Sequence, residues 1–411
     1  MPEEAPLRRN RDFVLLQAGQ LLSRAGSGMS GVAYPLLALA VTGSPAQAGL
    51  IQAARFLPHL LLNTLAGVVA DRYERRRLMV LADAVCGLAL ASLVAAIAMD
   101  RVTAAQLLIV GFVDGCGSVL FGAAYSGAFR SVVPRSQLAA AASVDQARAS
   151  TVRLAAPPLG GALYGLARVV PFVADAVSYA GSTILLLLIR RPFQAAREAS
   201  HASVREDLKE GLKFLWHVPF LRISALMTAV SNFSFSAGQF AVVVLARREG
   251  YSSTAIGLLV ALVGVTTLAG SLISPQVRRW VSLRVILLSE LWASFGVLVF
   301  IAWPNPVVLA AALAGQAFCF PNTDAAVAAY RYAVTPDRLT ARVTSAASNI
   351  AVMAMPLGPL VAGVLLEAFS PRAAVLGFTS ACMAAAIAGT LSRTIRTLPA
   401  LEDVVAAEGA A

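Results

Sequence analysis

Long apolar segments alternate with short polar connectors along almost the whole chain. A bilayer core requires roughly 20 apolar residues per helix, and twelve segments reach that length, at residues 13–41, 46–70, 77–99, 103–127, 138–165, 169–190, 218–246, 253–275, 283–303, 306–331, 340–366 and 371–394. The pattern predicts an all-α membrane protein with 12 transmembrane helices in two six-helix bundles. These bundles are residues 1–190 and residues 218–411, joined by a polar, cytoplasmic loop at residues 191–217.

The composition excludes several other classes of protein. Hydrophobic residues make up 58% of the chain and charged residues 13%, whereas soluble domains carry about 25% charged residues. A soluble globular protein, a disordered chain and a coiled coil are therefore excluded. The four cysteines all lie in apolar segments, where we expect them to be small buried side chains.

The positive charges predict the orientation and the partners. The net charge is +11, and the Lys and Arg residues lie mostly at the ends of apolar segments rather than on one polar domain. This placement is typical of contact with anionic lipid headgroups, so we expect the bilayer as a partner and no nucleic acid. Most positive residues fall on one side if both termini are cytoplasmic. The expected location is the cell membrane, with several crossings.

The two halves of the chain resemble each other. "VVPRSQLAAAAS" precedes "APPLGG" in the first half, and "VTPDRLTARVTS" precedes "GPLVAG" in the second. Duplicated six-helix bundles around a midplane site are typical of secondary transporters. In spans 5 and 11 we expect kinks at proline and close helix packing at glycine, at Pro157, Gly160, Gly161, Gly358, Pro359 and Gly363.

A charged motif, "GVVADRYERRRLM", stands between spans 2 and 3. It resembles the loop signature of the major facilitator superfamily, G-x-L-a-D-r-x-G-r-k, with Val69 and Glu74 as departures. Glycine there permits close packing, and arginines can bridge carboxylates, so the resemblance implies a gate that holds the inner side shut. The alternative is that the arginines are only membrane anchors. The gate candidates are Gly67, Asp71, Arg72, Arg75 and Arg76.

Further stretches extend this resemblance over nearly the whole chain. "APPLGG" resembles the antiporter signature G-P-x-x-G-G, with Ala156 in place of the first glycine. "GQLLSRAG", "FVADAVSYAGS" and "EGLKFLWHVPFLR" are similar to the branch that holds macrolide-efflux and siderophore-export proteins. The resemblance implies export by alternating access, a proton gradient as the energy source, no cofactor and a monomer. Gly111 and Ser27 stand where this group often has an arginine and an acid, which leaves the proton route open.

Polar residues inside the predicted spans are the candidates for proton and substrate binding. An ionisable residue at mid-bilayer costs roughly 2.5–3.5 kcal/mol, so each one suggests a function. Desolvation favours a protonated carboxyl, and Asp114 could therefore exchange a proton for a cationic substrate. The full set is Arg24, His59, Asp114, Asp145, Arg148, Asn232, Gln239, Gln316 and Asp324.

Each candidate also has a simpler interpretation. A neighbouring arginine such as Arg148 could neutralise Asp114, and Arg24 could be its partner or could bind an anionic substrate. Asp145 and Arg148 are three residues apart and can pair on one helix face. His59 could relay protons or be an ordinary hydrogen-bonding partner within the helix packing.

The motifs of enzymes and ATP-driven pumps are not found. The chain has no phosphate-binding loop, no metal-ligand spacing and no nucleophile motif. We therefore expect a transporter rather than an enzyme, without a metal, that exports a small amphipathic compound, drug-like or a natural product, by proton antiport. The alternatives are an anionic substrate such as a siderophore or a lysophospholipid, or uptake instead of export.

Overall fold

The computed structural model describes residues 6–189, 193 and 204–398. Over these ranges the chain forms helices joined by short turns and contains no β-strand. The helices of the first half are α1 (Arg11–Thr42), α2 (Pro45–Arg72), α3 (Arg75–Ala98), α4 (Ala104–Val132), α5 (Leu138–Leu166) and α6 (Val170–Leu188).

The second half continues with ten helices within the described ranges. They are α7 (Val204–His217), α8 (Pro219–Arg248), α9 (Ser253–Trp280), α10 (Leu283–Ala293), α11 (Val297–Ala302), α12 (Pro306–Val334), α13 (Asp337–Met353), α14 (Leu357–Ala368), α15 (Pro371–Leu391) and α16 (Arg393–Arg396).

Each of the twelve predicted spans coincides with one helix or with two consecutive helices. Span 9 is divided into α10 and α11, and span 11 into α13 and α14, where a turn at 354–356 interrupts the helix. By length and hydropathy alone, ten segments of the described chain can cross a membrane, or eleven if the bent α2 counts as one span. Helix α5 fails this criterion because its polar residues lower its mean hydropathy.

The connector at 191–217 differs from the prediction because its second part is a helix. Leu215 of α7 is fully buried and packs in one hydrophobic cluster with Val343 of α13. Glu210 forms an ion pair with Arg342 of α13. Apolar residues at helical spacing give α7 one buried face. The preceding residues 194–203 lie outside the described part of the chain.

Contacts divide the chain into two compact units. The first consists of Met1–Gly43, Ala54–His201 and Tyr251–Ala261, and the second of Ser44–Ala53, Ala202–Gly250 and Leu262–Ala411. The beginning of α2 thus packs in the second unit and the beginning of α9 in the first. The predicted bundles at 1–190 and 218–411 differ from these units by the exchange of those two helix ends.

The glycines of spans 5 and 11 lie at close helix approaches, as predicted. A Cβ at Gly161 would clash with the carbonyl oxygen of Ser253 at the beginning of α9, and one at Gly363 with the carbonyl oxygen of Pro45 at the beginning of α2. Gly160 likewise lies against Met29 of α1, and Gly358 against Ser236 of α8. These glycines therefore account for the close packing within each unit.

The two prolines differ in effect. Helix α5 continues through Pro157 without interruption. Pro359 lies in the first turn of α14, where a missing backbone N–H is tolerated. The predicted kink in span 11 therefore occurs at the turn before Pro359, and span 5 contains no break in its helix.

Candidate functional site

A buried polar cluster lies between α1, α2, α4 and α6 of the first unit. We call it the central cluster, and its members are Ser27, Ser30, Arg55, Asp114, Asp175 and Tyr179. Arg55 and Asp114 form an ion pair in which Nη2 lies 2.8 Å from Oδ2, and their side chains are only 13% and 8% exposed. The Tyr179 hydroxyl donates to Oδ1 of Asp114 at 2.7 Å. Both carboxylate oxygens of Asp114 therefore accept hydrogen bonds.

The second carboxyl group of this cluster is Asp175 of α6, which is fully buried. The Ser30 hydroxyl donates to its Oδ2 at 2.5 Å, and the Ser27 hydroxyl lies 3.4 Å from its Oδ1. Among the described residues, Asp175 forms no ion pair with a cation. Ser30 connects Arg55 to Asp175, because Nη2 of Arg55 lies 3.5 Å from the same hydroxyl that donates to Asp175. The central cluster thus contains two carboxyl groups and one guanidinium.

Glycines bring these side chains together. A Cβ on Gly26 of α1 would lie 2.6 Å from Oδ1 of Asp175, so glycine permits the approach of α6. Gly115 of α4 lies directly against the backbone of α2 at Arg55, and a Cβ on Gly111 would lie 3.1 Å from the Tyr34 hydroxyl. Gly111 and Gly115, four residues apart on α4, therefore serve helix packing, and Gly115 brings Arg55 within reach of Asp114.

A second polar cluster lies nearer the N-terminal end of α1. We call it the terminal cluster, and its members are Gln17, Gln20, Arg24, Tyr125, Asp145 and Arg148. Arg148 Nη2 lies 2.7 Å from Asp145 Oδ1, which confirms the predicted pair. Gln17 also donates to Asp145, at 3.2 Å, and so does the Tyr125 hydroxyl. With Arg24 included, this cluster has two guanidinium groups and one carboxylate.

The predicted partner of Asp114 was wrong. Neither Arg24 nor Arg148 pairs with it, because Arg55 occupies that place. Arg24 is exposed, and its Nε donates to the Gln20 side chain one turn earlier, at 3.3 Å. The same Gln20 oxygen accepts a bond from Arg148 at 3.3 Å. The two arginines therefore share a neutral partner. The terminal cluster as a whole keeps one positive charge in excess.

A groove runs along the terminal cluster. Its volume is about 420 Å³, which lies within the range of small-molecule sites, about 300–1,000 Å³. Arg8, Gln17 and Arg148 provide its polar groups, and the rest of the lining is apolar: Leu7, Phe13, Val14, Ala18, Leu21 and Val144. Such a surface suits a molecule with an apolar body and a negative or polar group.

The candidates of the second unit make their contacts within that unit. Gln316 is buried and donates to the Ser231 hydroxyl at 3.1 Å. Asn232 donates to the carbonyl oxygen of Ala351 at 2.8 Å, and Gln239 is partly exposed on the same helix. Asp324 is exposed rather than buried, and its role in proton or substrate binding stays a prediction.

On α2, the predicted proton relay His59 is partly exposed and is not a member of the central cluster. Its Nδ1 has no hydrogen-bond partner among the described residues. It lies one turn beyond Arg55, the residue of this helix that makes the ion pair. The prediction that His59 relays protons stays untested.

The arginines of the loop motif contact elements of their own unit. Arg75 bonds Asp71 at 3.3 Å and donates to the carbonyl oxygen of Phe193 at 3.2 Å, while Arg76 donates to that of Leu187 at the end of α6, at 2.6 Å. Arg72 is exposed. The predicted close packing at Gly67 is not seen, because a Cβ there would meet nothing within 4 Å. The gate itself stays a prediction.

Sequence reasoning missed Asp175 and Tyr179 as site residues. The signal was present: Asp175 is an ionisable residue inside a predicted span, and Tyr179 follows it by four residues, one helical turn. What the sequence could not provide was their distance from α4.

Comparisons with known proteins agree with this fold. The family model described as "Transmembrane secretion effector" matches residues 3–408. The chain is 24% identical over 377 residues to the multidrug efflux pump Tap of Mycolicibacterium fortuitum, covering 89% of this chain and 92% of that one. It is 25% identical over 298 residues to the enterobactin exporter EntS of Citrobacter koseri, covering 70% and 69%. A bacterial homolog of the human lysosomal transporter Spinster, solved inward-facing and unoccupied, superposes with a TM-score of 0.70 at 16% identity, covering 98% of both chains.

Proposed function

Because this chain belongs to the transmembrane secretion effector family of the major facilitator superfamily, we propose that it exports a small amphipathic compound in exchange for protons. The family and the fold are those of multi-pass membrane transporters and not of enzymes. The direction of transport, the coupling ion and the substrate class are proposals.

The observation that supports proton coupling is the charge of the central cluster. Arg55 balances Asp114, and Asp175 is left without a cation although it is fully buried. An unpaired charge in the membrane interior is costly. With a proton on Asp175 the cluster is neutral, and without it the cluster holds one negative charge in excess.

This excess gives the cluster two arrangements. Arg55 bonds Asp114 directly, and its Nη2 already touches the hydroxyl that donates to Asp175. When Asp175 loses its proton, attraction draws the guanidinium toward it and weakens the pair with Asp114. Since Arg55 belongs to α2 and Asp114 to α4, binding or release of one proton biases the position of α2 against α4.

Export is supported by the relatives. Tap is named a multidrug efflux pump and EntS an enterobactin exporter. Both matches span most of the chain at low identity, which supports the direction of transport more than any particular cargo. We propose the cell membrane as the location, with cytoplasmic termini.

The test is a proton-movement assay in proteoliposomes that hold a pH-sensitive dye under an imposed pH gradient. A panel of amphipathic compounds is added in turn. We expect one compound or more to release protons with the wild type, and Asp175→Asn and Asp114→Asn to abolish the response. The control is Glu74→Gln, which removes an exposed pair with Arg77 and leaves the response unchanged.

Two outcomes would contradict the proposal. Full proton movement in both Asn variants would remove the central cluster from the coupling route. Passage of labelled compound without any proton movement would indicate a uniporter or another coupling ion.

The groove favours a second candidate, in which the cargo is anionic. It combines apolar walls with Arg8 and Arg148, beside a cluster that has a positive surplus. An amphipathic anion would satisfy both features, whereas a cation would be repelled.

Everted vesicles distinguish the two substrate classes. Uptake of an anionic fluorescent amphiphile is compared with that of a cationic one of similar size. If the cargo is anionic, Arg8→Gln lowers its uptake several-fold, and Arg9→Gln does not, because Arg9 is the adjacent arginine but does not line the groove. Preferred uptake of the cation, unaffected by Arg8→Gln, would reject the anionic class.

A further inference from the structure

The second unit contains a buried carboxyl group that the central cluster does not involve. Glu290 of α10 is 5% exposed. Its Oε1 accepts a hydrogen bond from the hydroxyl of Ser231 on α8. Within the described ranges, no lysine, arginine or histidine forms an ion pair with it. A buried carboxyl without a cation must be neutral or must bind something that neutralises it.

The hydrogen bonds around Glu290 have a defined direction. The amide of Gln316 donates to the Ser231 oxygen at 3.1 Å, so the hydroxyl proton of Ser231 points to Glu290. On the other side, Thr323 of α12 donates to the carbonyl oxygen of Ile286 at 3.1 Å. Ser231 can therefore donate to Glu290 in either protonation state, whereas Thr323, whose proton is directed to Ile286, can only accept.

A small cavity leads from this carboxyl toward one end of the unit. Its volume is about 20 Å³, and roughly 10–15 Å³ suffices for a water molecule. It reaches Phe220 in the first turn of α8 and Ile395 of α16, and Ser231 and Thr323 line it beside Glu290. These helix ends lie on the predicted cytoplasmic side. The cavity has room for water and is too small for a drug-sized compound.

We propose that Glu290 is a second proton-binding residue, which exchanges its proton through this water-sized cavity between α8, α10, α12 and α16. The proposal rests on the proposed function for its role in transport, since the proton would then be counted in the antiport cycle. The ligand is a proton delivered by water, because a cavity of this size with hydroxyl donors admits nothing larger.

The internal repeat supports this assignment. Gln316 occupies the position that corresponds to Asp114 in the first half, so the second unit has no carboxyl at that position. Glu290 stands two hydrogen bonds away, joined to Gln316 through Ser231. Among the described residues, Glu290 thus joins Asp83 and Asp175 of the first unit as a buried acid without an ion-pair partner.

The groups that could disturb the titration of Glu290 are few. Helix α8 presents hydroxyls to it, and the exposed arginines of α16 flank Ile395 on the outside. Asp324 is exposed. In the described residues, the neighbouring titratable or charged groups are Cys319, Asp324, Cys382, Arg393 and Arg396.

Infrared spectroscopy tests the proposal without any transport. The full chain is reconstituted in phosphatidylcholine bilayers, and the carbonyl stretch of protonated carboxyls is recorded as pH is raised in sodium-free buffer. We expect a band that disappears with rising pH, shifts in D₂O and is absent from Glu290→Gln. The band should persist in Asp324→Asn, which removes the exposed acid of α12, and in Asp83→Asn, which removes a buried acid of the first unit.

Three results would overturn the proposal. They are identical spectra for wild type and Glu290→Gln, a Glu290 band that does not change with pH, and loss of the band on adding sodium at constant pH, which would indicate a sodium site. Glu290→Asp guards against misfolding of the Gln variant, since it should keep a titrating band with an altered midpoint. Absence of proton movement in proteoliposomes would reject the antiport proposal, whereas the infrared result decides only this one.

Discussion

The charge balance of the central cluster makes a quantitative prediction about stability. Replacing Arg55 by Met removes the only guanidinium and leaves Asp114 and Asp175 facing each other in a buried site, where they are 5% and 0% exposed. Removing one partner of a buried ion pair costs about 3–5 kcal/mol, because the other charge stays buried and unpaired. We expect a loss of that size for Arg55→Met.

A double variant isolates the cause. Arg55→Met combined with Asp114→Asn removes the unpaired charge together with its partner, so most of the lost stability should return. The control is Arg77→Met, which breaks an ion pair with Glu74 in which the arginine is 87% exposed. Exposed pairs contribute about 0–1 kcal/mol, and this variant should behave like the wild type.

The assay is thermal unfolding in detergent, followed with a maleimide dye that becomes fluorescent on reaction with thiols. Cys86 and Cys382 are buried, one in each unit, so they report unfolding of both. The expected order of midpoints is Arg77→Met at the wild-type value, the double variant below it and Arg55→Met lowest. Equal midpoints for Arg55→Met and Arg77→Met, or a double variant no better than the single one, would refute the reasoning.

Four further predictions follow from the packing and the charges. Tyr179→Phe removes a hydrogen bond to a charged group, worth about 1.5–3 kcal/mol. It should reduce substrate-induced proton movement in proteoliposomes, while the protein still purifies as a monodisperse peak. Unchanged proton movement would contradict this prediction. Gly161→Leu forces a side chain against Ser253 and should lower stability by about 1–3 kcal/mol or more. Gly122→Ala, where a Cβ has open space, should not lower it. Equal thermal unfolding midpoints for the two variants would argue against the close approach at Gly161. Arg75→Ala loses the bonds to Asp71 and Phe193 and should speed tryptic cleavage of the segment after α6. Equal cleavage rates for this variant and the wild type would contradict the prediction. Exchange of an exported anion for a proton moves net charge, so an inside-negative potassium diffusion potential, set with valinomycin, should accelerate anion efflux; a rate independent of potential would reject the anionic class.

The helices and the family could be predicted from the sequence because both depend on local patterns. Apolar runs define the spans, and the loop motif is a continuous stretch of residues. The Asp145–Arg148 pair was predictable for the same reason, since three residues separate its members on one helix. Helix α7 was missed because its amphipathic pattern is short and lies within a charged connector.

The partners of the buried acids could not be predicted, because they depend on which helix faces which. Arg24 and Arg55 are both arginines inside predicted spans, and nothing in the sequence tells which one reaches Asp114. The structure distinguishes them through Gly115, which brings the backbone of α2 against α4. The exposure of Asp324 could not be predicted for the same reason. An apolar segment shows that a carboxylate lies within a helix, but not whether its side of α12 is exposed.

The two polar clusters share α1 and have opposite charge. Ser27 and Ser30 connect this helix to the central cluster, where a carboxyl is in excess, and Gln17 and Gln20 connect it to the terminal cluster, where a guanidinium is in excess. In the proposed cycle, a proton relieves the first excess and an anionic cargo relieves the second. With both the proton and a singly charged anion bound, each cluster is neutral. With neither bound, the two excess charges offset each other only across the distance between the clusters. With only one bound, the two clusters together carry a net charge of +1 or −1. That distance, filled by one continuous helix, is where we expect the proton and the cargo to be coupled.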